Sequence, residues 1–382
     1  MDFSITEQQK SLRAEIIHFA RQELNEGVVA RDKEQVFSHA HWRHCAGTGI
    51  LGFPVDQCYR GRQLDALSTA MALEALGYGC TDGGLVFSLC AHLLACVVPI
   101  WKHGNDEQKQ KYLPGLCDGS LIGMHAMTEP VAGSDPFAMA TRAEPEGNGW
   151  RINGTKTLIS NGSVGDVAIV YALTNPQKGF HGGSTAFLID RNTQGFSLGE
   201  NFNKLGLRTS MLSELHFDNV SVPESAILGT VGGGSSIFTT AMDWERTLLG
   251  ASLVGTMERL LETSIQRARK RFQFNQSIGK FQAISHKIAD MKVQLEAARL
   301  LTYQSAWRLD HHKSASLDAA MTKLFVSESL VKSALDTVQI HGGYGYMTDY
   351  EVERALRDAI GSTLYSGTSE IQRNIIAQWL GI

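Results

Sequence analysis

Apolar residues recur at helical spacing through the first third of the chain. Thr6 and Gln9 form a Thr-x-x-Gln pattern typical of a helix N-terminus with a capping box. The residues that follow on one predicted helical face are Leu12, Ile16, Phe19, Ala20 and Leu24. Similar periodicity continues through DALSTAMALEALGYG and the apolar run after it, to about Gly119. The pattern therefore predicts an N-terminal helical domain.

The pattern then changes to short β-branched runs separated by turn residues. The runs are WRI, TKTLIS, VAIVYALT, STAFLIDR and SELHFDNVSVP. Asn153-Gly154, between the first two runs, predicts a two-residue hairpin turn. After the segment GTVGGGSS, helical periodicity returns in long stretches that predict a helical bundle. We therefore expect an α+β fold with a helical domain over 1–119, a β domain over 120–232 and a helical bundle over 233–382.

Composition and charge narrow the functional classes. The 382 residues are 43% hydrophobic and 19% charged, with a net charge of -4, so nothing indicates a nucleic-acid partner. The N-terminal residues lack a secretory pattern, which predicts a cytoplasmic protein. The apolar run Leu85–Trp101 is short for a membrane span, and we expect a buried helix rather than a transmembrane one.

Cysteine and histidine positions do not indicate a metal site. The six cysteines never form a CxxC pattern, so we expect reduced and mostly buried thiols. His39, His41, His44 and Cys45 have a spacing that fits no standard zinc site. We therefore predict no bound metal.

Candidate chemistry is concentrated in five segments. They are MHAMTEPVAGSD (Met124–Asp135), NGTKTLISNG (Asn153–Gly162), RFQFNQSIGKFQ (Arg271–Gln282), QIHGGYGY (Gln339–Tyr346) and LYSGTSEIQ (Leu364–Gln372). Taken alone, the first segment favours a polar turn over a cofactor loop, although its hydroxyl and backbone N–H groups suit either. In this order, on an α–β–α background, the five segments resemble the acyl-CoA dehydrogenase family of flavoenzymes over essentially the whole chain.

The resemblance implies a fold, a cofactor and a reaction. Family members have an N-terminal helical domain, a central β domain and a C-terminal helical bundle, and they usually assemble as homotetramers. They bind FAD non-covalently and desaturate acyl thioesters between the α and β carbons. We therefore expect a homo-oligomer that binds FAD, and the resemblance implies a tetramer.

The resemblance also implies which residues contact FAD. Those expected along the flavin and its ribityl chain are His125, Met127, Thr128 and Ser134. Leu158 and Ser160 are expected behind the flavin ring, where the family usually has Trp and Thr. Residues matching the pyrophosphate, ADP and terminal motifs are Arg271, Phe274, Gln282, Gln339, Gly342, Gly343, Thr368 and Glu370. The Gln339 block approaches the cofactor of a neighbouring subunit in the family, which again implies an oligomer.

The position of the catalytic base differs from the usual family pattern. Ser366 stands where many members carry a carboxylate, and a serine hydroxyl needs its own activating base. Other members place a glutamate in a D-x-E-R setting, which Asp243-Trp244-Glu245-Arg246 matches. We therefore expect Glu245 to be the base, although a Glu paired with a basic neighbour on a solvated helix face is the alternative. Only the main-chain N–H of Ser366 is expected to contribute, by donating to the thioester carbonyl.

The substrate is expected near the base. The residues predicted to contact it are Ser134, Asp243, Arg246, Ser366 and Gly367. The segment Leu67–His92, together with Glu245, is similar to dehydrogenases that oxidise a prolyl group held on a peptidyl or acyl carrier protein. A short or branched-chain acyl-CoA is the alternative substrate. A flavoprotein recruited to DNA is the alternative of another class, and the net charge of -4 argues against it.

Overall fold

Helices form the first part of the computed structural model, which describes residues 4–311 and 315–382. Thr6 and Gln9 make both hydrogen bonds of the predicted capping box, and the buried face of the first helix includes Leu12, Ile16 and Ala20. The helices are α1 (Glu7–Glu23), α2 (Val28–Glu34), α3 (His39–Gly47), α4 (Ala66–Gly79), α5 (Gly83–His92), α6 (Val98–His103) and α7 (Asp106–Cys117). A π-helical stretch, Leu93–Val97, joins α5 to α6.

The run from α5 to α6, Gly83–His103, is long and apolar enough to cross a membrane by length and composition alone. In the fold, 89% of its most apolar window is buried inside the protein. The prediction that Leu85–Trp101 is a buried helical segment is therefore confirmed. The six cysteines are unpaired, and all except Cys58 are buried.

A sheet of eight strands occupies the middle of the chain. The strands are β1 (Gly123–Ala126), β2 (Arg142–Glu146), β3 (Gly149–Ser160), β4 (Val167–Leu173), β5 (Ser184–Asp190), β6 (Phe196–Asn201), β7 (Leu212–Pro223) and β8 (Ile227–Leu228). Their order is β6-β7-β3-β2-β4-β5-β8, and β1 pairs with β4 off this path. The pairs β1–β4 and β2–β4 are parallel, and the other pairs are antiparallel. A short helix, α8 (Phe180–Gly183), precedes β5.

The predicted hairpin at Asn153-Gly154 is wrong. Both residues lie inside β3, at a register shift in its pairing with β7. The turn is instead between β2 and β3, where Glu146 pairs with Gly149 and Gly147 has a φ of 60°. Gly154 is needed for a different reason, since a Cβ there would lie 2.4 Å from the Thr141 hydroxyl oxygen. Close strand packing, rather than a turn, therefore accounts for this glycine.

Long helices return after β8 and complete the fold. They are α9 (Gly234–Lys270), α10 (Gln282–His311), α11 (Ser316–His341), α12 (Val352–Ser362) and α13 (Ser369–Trp379). Two short strands, β9 (Phe272–Gln273) and β10 (Gln276–Ser277), form a hairpin between α9 and α10. The order of helices, sheet and helices confirms the predicted fold class, and the exact domain boundaries stay a prediction.

Helices α4 and α9 cross at glycines, which fixes α9 against the N-terminal helices. A Cβ on Gly77 would lie 1.9 Å from the carbonyl oxygen of Ser252, and one on Gly255 would lie 1.9 Å from that of Glu74. Neither contact is sterically possible for a larger residue without moving a backbone. The close crossing therefore positions the middle of α9, just after Glu245.

Candidate active site

Helix α9 carries a group of charged residues through the protein interior. Every residue from Ala241 to Ser252 is buried, so this part of the helix is enclosed on all sides. Asp243, Glu245 and Arg246 lie within it and are 7%, 7% and 9% exposed. Burying charged groups is unfavourable unless they are paired, and such clusters are typical of functional sites.

A strained turn before α13 faces Glu245. Ser366 and Gly367 have left-handed φ values of 56° and 90°. The Ser366 hydroxyl donates a hydrogen bond to Oε1 of Glu245 at 2.5 Å. Arg246 Nε donates to the Ser366 carbonyl at 2.9 Å. The structure therefore brings the predicted base and the predicted terminal signature into direct contact.

Two residues that the sequence did not indicate hold the same turn. Lys323 Nζ, on α11, donates to the Gly367 carbonyl at 2.7 Å. Gln372 Nε2 donates to the carbonyls of Ser366 and Gly367 at 3.1 and 2.9 Å. Gln372 closes the segment LYSGTSEIQ, so its place in that motif was an available signal. Nothing in the local sequence marks Lys323.

The electrostatic environment suits a base that works near neutral pH. Burial raises the pKa of the Glu245 carboxyl, while the Ser366 hydrogen bond and the nearby positive charges oppose that rise in its pKa. Burial lowers the pKa of Lys323 to about 8. Burial also raises the pKa of Asp243, whose Oδ2 accepts a hydrogen bond from Ser316 at 3.0 Å. A carboxylate with a raised pKa gains basicity, as general-base catalysis requires.

An aromatic pair lies next to the Ser366 turn, because Tyr365 directly precedes Ser366. The rings of Phe87, on α5, and Tyr365 lie 4.7 Å apart. Burial raises the pKa of the Tyr365 phenol. Both rings also line a cavity of about 210 Å³ between α5, α9 and α12. The aromatic pair therefore forms part of the wall of this cavity, next to the Ser366 turn.

The predicted flavin residues of the β domain lie at and beyond the end of β1 and on β3. The Thr157 N–H donates to the Thr128 carbonyl at 2.8 Å, which joins the two segments. His125 Nδ1 hydrogen-bonds the Ala95 carbonyl at 2.9 Å, whereas its buried Nε2 has no partner within the described residues. Leu158 has a φ of 56°, and its side chain is 54% exposed. Ser134 and Ser160 are exposed and half-buried, respectively.

The predicted phosphate and ADP residues lie far from Glu245 within one chain. Arg271 caps the C-terminus of α9, and at about 1.5 Å of rise per residue it lies roughly 39 Å from Glu245 along that helix. Phe274, in the β9–β10 turn, is 87% exposed. Arg267 donates to the His341 carbonyl at 3.3 Å, which joins the ends of α9 and α11. The exposed residues at these two ends are Arg271, Phe274, Gln282, Gln339, Gly342 and Gly343.

Besides the residues of the β domain, one chain therefore assembles two further groups of predicted site residues. The first joins α9 to the terminal segment, in which Thr368 caps α13 and Glu370 is exposed in its first turn. The second lies at the far ends of α9 and α11. Among residues 4–311 and 315–382, no group of three or more His, Cys, Asp or Glu side chains is arranged to hold a metal ion.

Comparison with known proteins identifies the family. Models of the N-terminal, middle and C-terminal domains of acyl-CoA dehydrogenase match residues 6–120, 125–220 and 232–381. An L-prolyl-(peptidyl-carrier protein) dehydrogenase of Serratia is 42% identical over 100% of this chain and 99% of its own length.

Solved structures give the same result. The prolyl acyl carrier protein oxidase AnaB is 44% identical with a TM-score of 0.98, over 99% of this chain and 100% of its own. PigA with FAD and proline is 41% identical with a TM-score of 0.97, over 100% of this chain and 99% of its own. The chain belongs to the acyl-CoA dehydrogenase family.

Proposed function

We propose that this protein is an FAD-dependent dehydrogenase that desaturates an acyl thioester, with Glu245 as the base that removes the α proton. The observation that carries the proposal is the buried Glu245 carboxylate in contact with the Ser366 turn. Serine occupies the position at which many family members carry their base, and Glu245 supplies a carboxylate at the same place. The solvated-face alternative for Glu245 does not agree with its 7% exposure.

The residues present fit a bound flavin. An unpartnered buried nitrogen at His125 and an exposed apolar side chain at Leu158 would offer a polar and an apolar contact to the flavin. The hydroxyls of Thr128 and Ser160 make no hydrogen bond within the described part of the chain, so both are available to a ligand. When bound, FAD would accept the hydride that leaves the carbon next to the α carbon.

The protein's own groups would handle the proton and the thioester carbonyl. Glu245 Oε2 has no hydrogen-bond partner within residues 4–311 and 315–382, so it is free to take the α proton. The main-chain N–H groups of Ser366 and Gly367 also have no partner among these residues, while their carbonyls are held by Arg246, Lys323 and Gln372. Free N–H donors at this turn would stabilise the enolate oxygen that develops as the proton leaves.

We infer that the acyl group is prolyl and that it arrives on a carrier protein. Two relatives that match the whole chain at 42% and 44% identity are described as acting on carrier-bound prolyl groups. Tyr365 directly precedes the Ser366 turn and packs against Phe87 at 4.7 Å, and two bulky rings next to this turn would favour a small acyl group. Asp243 Oδ1 is buried without a partner among the described residues, and it would accept a hydrogen bond from an amide of the substrate arm. Unpaired cysteines suit a reducing compartment, and we propose a cytoplasmic enzyme.

We further propose that the active enzyme is a homo-oligomer, with a tetramer as the family precedent. Arg271 lies roughly 39 Å along α9 from Glu245, farther than one FAD can connect within a chain. The exposed Arg271 and Gln339 groups would instead contact the FAD of a neighbouring subunit. An arginine at this position suits a pyrophosphate because its guanidinium donates paired hydrogen bonds.

Glu245→Gln tests the proposal directly. The amide keeps the size of the side chain but cannot accept the proton, so flavin reduction by prolyl carrier protein should fall by about 10²–10⁴-fold. FAD content and thermal stability should not fall. Glu107→Gln, an exposed glutamate on α7, is the matched control and should keep the wild-type rate. Full activity of Glu245→Gln would refute the role of Glu245.

The substrate is tested with the wild-type protein. Prolyl carrier protein, prolyl-CoA and isovaleryl-CoA are compared at equal concentration by stopped-flow flavin bleaching and product mass. We expect the carrier-bound substrate to react fastest, with an advantage that shrinks at high salt as carrier docking is screened. Fast reduction by isovaleryl-CoA without a response to prolyl carrier protein would instead assign the enzyme to branched acyl-CoA substrates.

A further inference from the structure

The Ser366 side chain makes a contact that its main-chain role does not require. Its hydroxyl donates to Oε1 of Glu245 at 2.5 Å. This is the one hydrogen bond to the Glu245 carboxylate within residues 4–311 and 315–382, and it leaves Oε2 free. We propose that Ser366 is a positioning residue for the base: it holds Glu245 by Oε1 so that Oε2 faces the substrate. This inference rests on the proposed role of Glu245 as the base.

The hydroxyl can act in this way because the turn that bears it is fixed. The Ser366 carbonyl accepts hydrogen bonds from Arg246 at 2.9 Å and from Gln372 at 3.1 Å. The next carbonyl, of Gly367, accepts from Lys323 at 2.7 Å and from Gln372 at 2.9 Å. A Cβ on Gly367 would lie 2.8 Å from Gln372 Nε2, so the turn leaves little room for another residue. A donor on such a support restricts the carboxylate to one orientation.

The same hydrogen bond also lowers the basicity that burial creates. Burial raises the pKa of Glu245, and the Ser366 hydrogen bond is the largest influence that opposes this rise in the pKa. Other titratable groups near Glu245 come from its own helix and from four neighbouring segments. They are Asp243, Arg246, Lys323 on α11, Cys90 on α5, Tyr171 on β4 and Tyr365.

The Cys90 thiol and the phenols of Tyr171 and Tyr365 stay uncharged near neutral pH. Burial raises the pKa of Cys90 to about 12 and also raises the pKa of both tyrosines. Arg246 and Lys323 supply positive charge that does not depend on the Ser366 hydroxyl. Removal of that hydroxyl should therefore shift the Glu245 titration upward while the charges around it remain.

The experiment compares Ser366→Ala, Ser366→Cys and wild type. The rate of flavin reduction by saturating prolyl carrier protein is measured across pH. In Ser366→Ala the acid limb of the pH–rate profile should move to higher pH by about one unit. On the acid side this lowers the flavin-reduction rate by about tenfold. Ser366→Cys keeps a weak donor and should give an intermediate shift. Thr363→Val is the matched control, because the Thr363 hydroxyl donates only to the Ile360 carbonyl, and its profile should equal wild type.

A second readout does not use turnover. Infrared difference spectra of the protein, recorded across pH, follow protonation of the Glu245 carboxyl. The Glu245 band is assigned as the carboxyl band that is absent in Glu245→Gln. The transition should move upward in Ser366→Ala in parallel with the kinetic limb. If both the kinetic limb and the infrared transition of Ser366→Ala equal those of wild type, the positioning role is wrong. Full activity of Glu245→Gln would instead remove the base assignment, so the two failures are distinguishable.

Discussion

Replacing Lys156 with methionine tests whether a buried ion pair holds the segment Met127–Glu129, which carries predicted flavin contacts. Lys156, on β3, donates to Glu129 Oε1 at 2.8 Å and to the Met127 carbonyl at 2.9 Å. Glu129 also accepts hydrogen bonds from the N–H groups of Ala140 and Thr141 at 2.5 and 3.0 Å. The ion pair therefore holds the segment that carries the predicted flavin contacts.

The expected loss of folding stability in Lys156→Met follows from the burial of the ion pair. The two side chains are 0% and 2% exposed, so solvent does not screen the pair. Burial lowers the pKa of Lys156 to about 8, and Lys156 in turn holds the pKa of Glu129 below its ordinary value despite burial, so both are charged at neutral pH. Loss of one member of such a pair costs about 3–5 kcal/mol because the other charge stays buried. For 382 residues that unfold together, this lowers Tm by about 4–6 °C.

The assay is a double-mutant cycle by thermal unfolding, with FAD content measured on each variant. Lys156→Met should lower Tm and FAD content, and Glu129→Gln/Lys156→Met should be less destabilised than the sum of the single variants by about 1–3 kcal/mol. Lys292→Met, which breaks an exposed pair with Glu296, is the control and should change stability by less than about 0.5 kcal/mol. Additive single effects, or equal loss in Lys156→Met and Lys292→Met, would refute the argument.

Three further changes test other parts of the site. Phe87→Ala should enlarge the cavity of about 210 Å³ next to Tyr365 and the Ser366 turn, so longer acyl thioesters should gain in flavin-reduction rate relative to prolyl. Arg271→Ala should lower FAD content while leaving the Tm of the apoprotein within about 2 °C, since its side chain is exposed. Burial raises the pKa of Glu245 in the folded protein above its value in the unfolded chain. This difference stabilises the folded protein below the unfolded pKa, and the stabilisation is lost as pH rises through the folded pKa. Glu245→Gln should therefore be more stable than wild type by a margin that grows as pH rises above the ordinary glutamate pKa and levels off above the folded pKa of Glu245, measured as Tm.

Local sequence patterns predicted the fold well wherever one segment determines its own structure. The Thr6–Gln9 capping box and the buried face of α1 follow from residues within one helix, and both are present. Asn153-Gly154 shows the limit, because the same two letters that favour a hairpin turn also suit a bulge inside a strand. Pairing with β7 decides between these, and that pairing involves residues far along the chain.

The candidate site was predicted through motif resemblance rather than local pattern. That resemblance indicated Glu245 and Ser366, which the structure brings to a 2.5 Å contact. It gave no role to the Ser366 hydroxyl, because the distance between two side chains 121 positions apart is set by packing of the whole bundle. Lys323 was missed for the same reason, since its partner is a carbonyl 44 positions away.

The length of α9 has a genetic consequence. If the base and the phosphate contact of each chain serve different active sites, Glu245→Gln and Arg271→Ala chains carry complementary defects. In a pair made of one chain of each kind, one site has both defects and the other has an intact Glu245 beside an intact Arg271. Mixed assembly of the two impaired proteins should therefore give more activity than either shows alone. Such a protein would tolerate, in a co-expressed mixture, two lesions that lie far apart along one helix.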